Sequence, residues 1–148
     1  MSKLKIYLAG PINACTDDEC NQWRNDAKNK LSEKYDILDP MVRDYRNTCS
    51  DDYVYIVESD LDDIKKADII LANCYKPSAG TSMELVYTTL LGKVILSAAS
   101  PSPWVKYHSD MTFPHISDAI EALTKDETIE QILNLYKEKQ AILWKAWK

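Results

Sequence analysis

Pro77-Ser78-Ala79-Gly80-Thr81-Ser82-Met83-Glu84-Leu85 lies between two patterns of different period, and that change of period sets the architecture. Before it, Asp68-Ile69-Ile70-Leu71-Ala72 is a continuous apolar run of strand length. After it, Met83 to Leu91 reads as a helix closed by Gly92 at its C-terminal end. Strand, small-residue loop and helix in succession place a crevice at the carboxyl end of the strand, where ligands bind in open α/β sheets. Glu84 falls in the first turn of this helix among apolar neighbours. A carboxylate there is stabilised by the helix N-terminus. It reads either as a partner of the helix dipole or as a reactive acid in the crevice.

Working outward, Lys3-Leu4-Lys5-Ile6-Tyr7-Leu8-Ala9 is a strand stopped by Gly10-Pro11, so its following loop, Ile12 to Thr16, faces the same crevice. Thr16 or Asp17 caps a helix that runs to about Tyr35, with Glu19 as the capping-box partner of Thr16. Cys20, Trp23, Ala27 and Leu31 share one face of it. Arg24 lies one residue past that face and reads as an anion ligand or as a solvated charge. Asp36-Ile37-Leu38-Asp39 is a second strand, ended by Pro40, which forces its predecessor extended. Met41 to Ser50 form a polar connection holding Arg43, Asp44, Tyr45 and Arg46, either a lid or a solvated loop.

The next helix begins at Ser50-Asp51-Asp52 and carries Val54, Val57, Leu61 and Ile64 at helical spacing. Asp60 sits at the margin of that stripe, whereas Asp62 and Asp63 point to water. A half-buried aspartate suits a catalytic or ligand-orienting acid, and equally an ion pair with a lysine. Beyond the central segment, Lys93 to Ser97 is a fourth strand, and Ala98 to Pro114 is a long loop with Trp104, Tyr107 and His108. Ile116 to Leu123 reads as a short fifth strand or helix, with Ser117 and Asp118 as a cap. Thr128 to Lys148 is a last helix whose Ile129, Ile132, Leu133, Tyr136, Leu143, Trp144 and Trp147 pack on the sheet or on a second subunit.

Alternating β and α segments predict one α/β domain over residues 1–148, an open parallel sheet with helices on both faces. A net charge of −5 argues against a nucleic-acid polymer as partner, but a single nucleotide needs only a local anion site. No apolar run reaches membrane-spanning length and Met1-Ser2-Lys3-Leu4 has no signal-peptide pattern. Cys15, Cys20, Cys49 and Cys74 form no CxxC pair and His108 and His115 are the only histidines, so no zinc site is expected and cytoplasmic, reduced thiols are. Three glycines leave no dinucleotide fingerprint, P-loop or nucleophile elbow, and no cofactor is expected. The chemistry must rest on carboxylates and hydroxyls.

Lys5-Ile6-Tyr7-Leu8-Ala9-Gly10-Pro11, Asp60-Leu61-x-x-Ile64-x-x-Ala67-Asp68 and Ser78-x-Gly80-Thr81-x-x-Glu84-Leu85 follow one another in the order of the nucleoside 2-deoxyribosyltransferase superfamily, which the chain resembles over roughly residues 3 to 97. The resemblance implies a flavodoxin-like fold, a homo-oligomer with paired active sites and cleavage of an N-glycosidic bond. It implies Glu84 as nucleophile, Asp60 as an acid assisting at sugar and base, and Tyr7 as the aromatic that holds the glutamate. Binding candidates are Gly10, Pro11, Ile12, Arg24, Asp39, Ser78, Gly80 and Thr81. Base-exchanging members resemble one another in an aspartate at the position of Ser78, where it handles the base. The 5′-monophosphate hydrolases have a serine there, and a hydroxyl beside backbone N–H groups suits a phosphate that an aspartate would repel. Pro11 stands where some hydrolases carry a second phosphate-binding serine and others a proline. A polar residue from the adjacent subunit is implied near His108 and Ser109, within an aromatic segment suited to an interface. The expected activity is hydrolysis of a nucleoside 5′-monophosphate; base exchange between deoxynucleosides and a non-catalytic nucleotide-binding domain are the alternatives.

Overall fold

The computed structural model describes residues 2–47 and 50–146. Its strands are β1 (Leu4–Ala9), β2 (Tyr35–Leu38), β3 (Ile69–Asn73), β4 (Val94–Ala98) and β5 (Met111–Phe113). Its helices are α1 (Asp17–Leu31), α2 (Tyr53–Lys66), α3 (Ala79–Leu90), α4 (Pro103–His108), α5 (Ile116–Leu123) and α6 (Asp126–Ala146). All five strands run parallel in the order β2-β1-β3-β4-β5, the doubly wound order in which ligands bind beside the first strand.

Because successive strand residues face opposite sides, parity decides which helices each one meets. Ile6 and Leu8 of β1 face the layer of α1, α5 and α6, packed with Trp23, Leu31, Ile120 and Ile132. Tyr7 and Ala9 face the other layer, with Ile64 of α2 and Leu85 of α3. Tyr7 therefore shares a face with the helices that carry Asp60 and Glu84. Burial of β1 and β3 on both faces explains why both read as continuous apolar runs.

The parallel sheet with helices on both sides is as the sequence predicts, while several boundaries differ. The Thr16–Glu19 capping box forms, but α1 ends at Leu31. Tyr35 pairs opposite Leu4 as the first residue of β2, and its hydroxyl donates to Leu123 O at 2.8 Å. Helix α3 begins at Ala79, four residues earlier than the apolar pattern indicates, because Ser78 Oγ accepts the Thr81 N–H and starts the helix through Gly80. Glu84 is thus in the second turn. Gly92 closes α3 in the left-handed region at φ 67, where a Cβ would strike Leu143 of α6.

Ala98 to Pro114 is not one loop: it folds into α4 and β5, and Ile116–Leu123 is a helix without a side-chain cap from Ser117 or Asp118. Two short 3₁₀ turns, Pro40–Arg43 and Ser50–Asp52, give form to the connection before α2. Only the C-terminal half of α2 reaches the core: Ile64 is buried, whereas Val54 and Val57 remain about half exposed at 49% and 50%. Asp63 does not point to water. Its side chain is 13% exposed and binds Arg43 at 2.7 Å. Cys49 and Trp147, singled out in the sequence, lie outside the described residues.

Candidate active site

At the carboxyl ends of β1 and β3 a cavity of about 460 Å³ opens between α2 and α3. The loop after β1 contributes Gly10, Ile12 and Asn13, and the loop after β2 contributes Tyr45 and Arg46. Tyr53, Ile56 and Asp60 come from α2, and Ser78, Gly80, Thr81 and Glu84 from α3. Ser78 holds its position because its hydroxyl oxygen caps the helix at 3.2 Å from Thr81 N. That accepting role leaves the hydroxyl proton for a ligand, and the Ala79 and Gly80 N–H groups have no partner within the helix.

Glu84 is half-buried, and its Oε2 is shielded from solvent with no hydrogen-bond partner. Burial pushes its carboxyl up to about 7; the hydrogen bond from Tyr7 opposes the rise, the Asp60 charge adds to it and Arg24 opposes it. The Tyr7 phenol is pushed far above its ordinary range, by burial and then by the charges of Glu84 and Asp60, so it stays a neutral donor. Thr81 Oγ1 is a second buried oxygen without a partner in the same wall. Polar atoms left unpaired out of water cost free energy, and such atoms concentrate where a ligand supplies the missing bonds.

Burial also raises the Asp60 carboxyl, and hydrogen bonds from Arg43 and Tyr45 pull it back. Both bonds fall on Oδ1, at 3.2 Å each. The ion-pair reading of Asp60 is therefore right in kind, with an arginine from the β2 loop in place of a lysine. Arg46, also in the cavity wall, reaches Asp17 at 2.7 Å, Asp44 at 2.6 Å and Cys15 O at 3.2 Å, fastening this loop to the N-terminus of α1.

Seven of the expected residues thus share one cavity: Gly10, Ile12, Asp60, Ser78, Gly80, Thr81 and Glu84, with Tyr7 behind Glu84. Pro11 is buried next to Gly10 and outside the wall. Arg24 and Asp39 lie beneath it. Arg24 is fully buried, donating to Cys20 O at 2.8 Å and Gly10 O at 3.1 Å, with Asp39 at 3.7 Å. Its donors serve backbone carbonyls, so it braces the Gly10 loop and is neither an anion ligand in the wall nor a solvated charge. His108 and Ser109 stand away from this cavity. The Ser109 hydroxyl lies 2.6 Å from both Val105 O and Ser97 Oγ, tied into its own chain.

Sequence reading missed Asn13, Tyr53 and Ile56, and left Tyr45 and Arg46 undecided. Their one available signal is the density of aromatic and charged residues around Tyr45 and Tyr53, which does not say which way a loop folds. Among the described residues, no three His, Cys, Asp or Glu side chains gather as a metal-ligand set, and no helix is long and apolar enough to cross a membrane.

The geometry has clear relatives, although no curated protein matches the sequence. A 2-deoxyribosyltransferase of Bacillus psychrosaccharolyticus shares the fold with a TM-score of 0.63 at 20% identity, over 78% of this chain and 90% of that one. The Clostridium botulinum CMP N-glycosidase BcmB shares it with a TM-score of 0.53 at 19% identity, over 80% and 96%. A 2-desoxiribosyltransferase from Leishmania mexicana is 30% identical over 73% of each chain, with a TM-score of 0.53. Residues 3–101, which carry β1 to β4 and every wall of the cavity, match the model of the family described as nucleoside 2-deoxyribosyltransferase like, and the chain belongs to that family.

Proposed function

We propose that the protein cleaves the N-glycosidic bond of a nucleoside 5′-monophosphate, with Glu84 as nucleophile. The observation that carries this reading is the Glu84 carboxyl itself: Oε2 is buried and unpartnered, in a cavity of nucleotide size, beside a neutral Tyr7 donor. Ionised Glu84 attacks C1′ of the sugar as the C1′–N bond breaks. The bonding pair leaves with the base nitrogen, which takes a proton. Water then attacks C1′, gives up a proton and releases the sugar phosphate and the free carboxylate. Tyr7 holds one carboxylate oxygen, so the other points to the sugar. Ser78 and the first-turn N–H groups of α3 take the 5′-phosphate, where a helix N-terminus favours an anion.

Base exchange is the second reading, favoured by the 30% identity to the Leishmania mexicana transferase. It shares the first half of the mechanism, with a second base in place of water. One experiment separates them: nucleosides and their 5′-monophosphates are incubated with and without a second free base, and products are followed by chromatography. Base release confined to monophosphates supports hydrolysis. Exchange between free deoxynucleosides with little hydrolysis would overturn it and leave Ser78 without a phosphate to bind.

The proposal includes a homo-oligomer with shared sites. Met83 (73% exposed) and Leu90 on α3 and Trp104 and Tyr107 on α4 leave large apolar side chains uncovered on two helices in contact, as surfaces that bind another protein do. A second copy covering this face would bring His108 toward its neighbour's site. His108 Nδ1 is engaged with Trp104 O at 2.8 Å, which leaves Nε2 for a ligand. Sedimentation as a monomer at micromolar concentration would refute the pairing.

A further inference from the structure

Asp60 is held from outside its own helix. Arg43 Nη2 reaches Asp60 Oδ1 at 3.2 Å and Asp63 Oδ2 at 2.7 Å, so one guanidinium spans two acids on α2. Arg43 Nε donates to the Tyr45 hydroxyl at 2.9 Å, and that hydroxyl donates to Asp60 Oδ1 at 3.2 Å. With both contacts on Oδ1, Oδ2 is the oxygen left to meet a ligand.

The loop that delivers Arg43 is anchored from below. Asp39 Oδ1 accepts the Met41 N–H at 2.9 Å and starts the turn Pro40–Arg43. Asp39 in turn is buried between Arg24 and Lys28. Two charge pairs, Arg24–Asp39 beneath the Gly10 loop and Arg43–Asp60 at the cavity, are thus joined by the Pro40–Arg43 turn that Asp39 starts.

We propose, resting on the function proposed above, that Arg43 is a positioning residue that keeps Asp60 ionised and oriented, so that Asp60 serves the substrate as a hydrogen-bond acceptor and not as the acid that protonates the departing base. The groups facing Asp60 are Arg43 and Tyr45 from the loop, Asp63 on its own helix, Tyr7 of β1 and Glu84 of α3. Burial and the Asp63 charge favour the neutral carboxyl. Arg43 opposes both, with a charge-assisted bond to each acid. An ionised Asp60 matches a donor on the substrate, a sugar hydroxyl or an N–H of the base. The proton for the leaving nitrogen then comes from water.

The test is a titration of the Asp60 side-chain carboxyl carbon, followed by NMR with ¹³C-labelled aspartate, in wild type, Arg43→Gln and Arg43→Lys. It needs no turnover, so it judges Arg43 even if no nucleotide proves to be a substrate. Removing the charge in Arg43→Gln should move the Asp60 inflection to higher pH by about one to three pH units, the effect of an opposite charge within hydrogen-bonding range. Arg43→Lys should restore most of the wild-type value. An unchanged inflection in Arg43→Gln overturns the proposal. Should that variant not fold, Arg43→Met, which removes the same charge while keeping an unbranched side chain, decides by the same criterion: a higher inflection supports the proposal and an unchanged one refutes it. Where turnover is measurable, Arg43→Gln should lower kcat by roughly tenfold or more with a smaller change in KM, and move the acidic limb of the rate profile upward. A loss confined to KM would contradict a positioning role.

Discussion

The α3 wall of the cavity, Ser78 to Glu84, is one unbroken stretch that follows directly from β3. The facing wall collects Tyr45 and Arg46 from a loop and Tyr53, Ile56 and Asp60 from α2. The first wall is organised by local physics: a serine cap, a helix N-terminus and the spacing of Thr81 and Glu84 along one face. The second depends on long-range charge pairs, in which Arg43 meets Asp60 and Asp63 on a helix distant in sequence and Arg46 meets Asp17 on another. A wall of the first kind tolerates little change in its own residues. One of the second kind is adjusted by residues that never touch the ligand.

The largest effect should come from the local wall. Glu84→Ala is expected to lower base release by at least about a thousandfold, as removal of a covalent catalyst does, with circular dichroism unchanged because the residue lines the cavity. Residual activity near wild type would remove Glu84 from the chemistry and reduce α3 to a binding helix.

Ser78→Asp comes next, and sharpens the contrast by changing only the phosphate end of the same wall. Two or three unmet polar groups at about 1–3 kcal/mol each amount to discrimination on the order of a hundredfold or more. The aspartate should abolish that preference for monophosphates over nucleosides, measured as the ratio of kcat/KM values. A preference that survives would place the phosphate against the other wall, beside Arg46.

On the α2 side the expected effect is smaller. Asp60→Asn keeps the shape and replaces a charged acceptor, so kcat should fall by roughly ten- to a hundredfold with substrate still bound. An unchanged rate would leave Asp60 as a purely structural anchor for Arg43.

The same contrast explains what was legible in the sequence. The parallel sheet was legible because buried strands and capped helices write their period and punctuation into adjacent residues, as β3, the Thr16–Glu19 box and Gly92 do. That Ser78, Gly80, Thr81 and Glu84 stand at one crevice was legible for the same reason, while the roles expected of them came from the family resemblance. Arg24 misled because its position on α1 looks marginal, while the carbonyls of Leu8, Gly10 and Cys20 draw its guanidinium fully inside. Asp63 misled likewise: helical spacing turns it away from the stripe, and only the folded loop brings Arg43 to it. Val54 and Val57 have the spacing of a core face, yet among the described residues no element covers them fully.

The smallest effect concerns stability. Glu84 has a folded-state pKa of about 7, above its ordinary 4.5. Folding therefore favours its protonated form, and that stability is present below pH 4.5 and lost as pH rises through about 7. Glu84→Gln does not titrate. Its melting temperature should exceed that of wild type by on the order of a few degrees at pH 8 and converge with it at pH 4.5. A constant difference across that range would mean that the carboxyl is not held against its own ionisation. The same ionisation should give kcat/KM an acidic limb near pH 7.

Trapping the intermediate tests Glu84 most directly. The enzyme is mixed with a nucleoside 5′-monophosphate that it turns over, quenched in acid within milliseconds and analysed by intact-mass and peptide mass spectrometry. A mass increase equal to one sugar phosphate less one water is expected, confined to the peptide bearing Glu84 and absent from Glu84→Gln. Turnover with no adduct on that peptide, or with the sugar carried elsewhere, would contradict Glu84 as nucleophile.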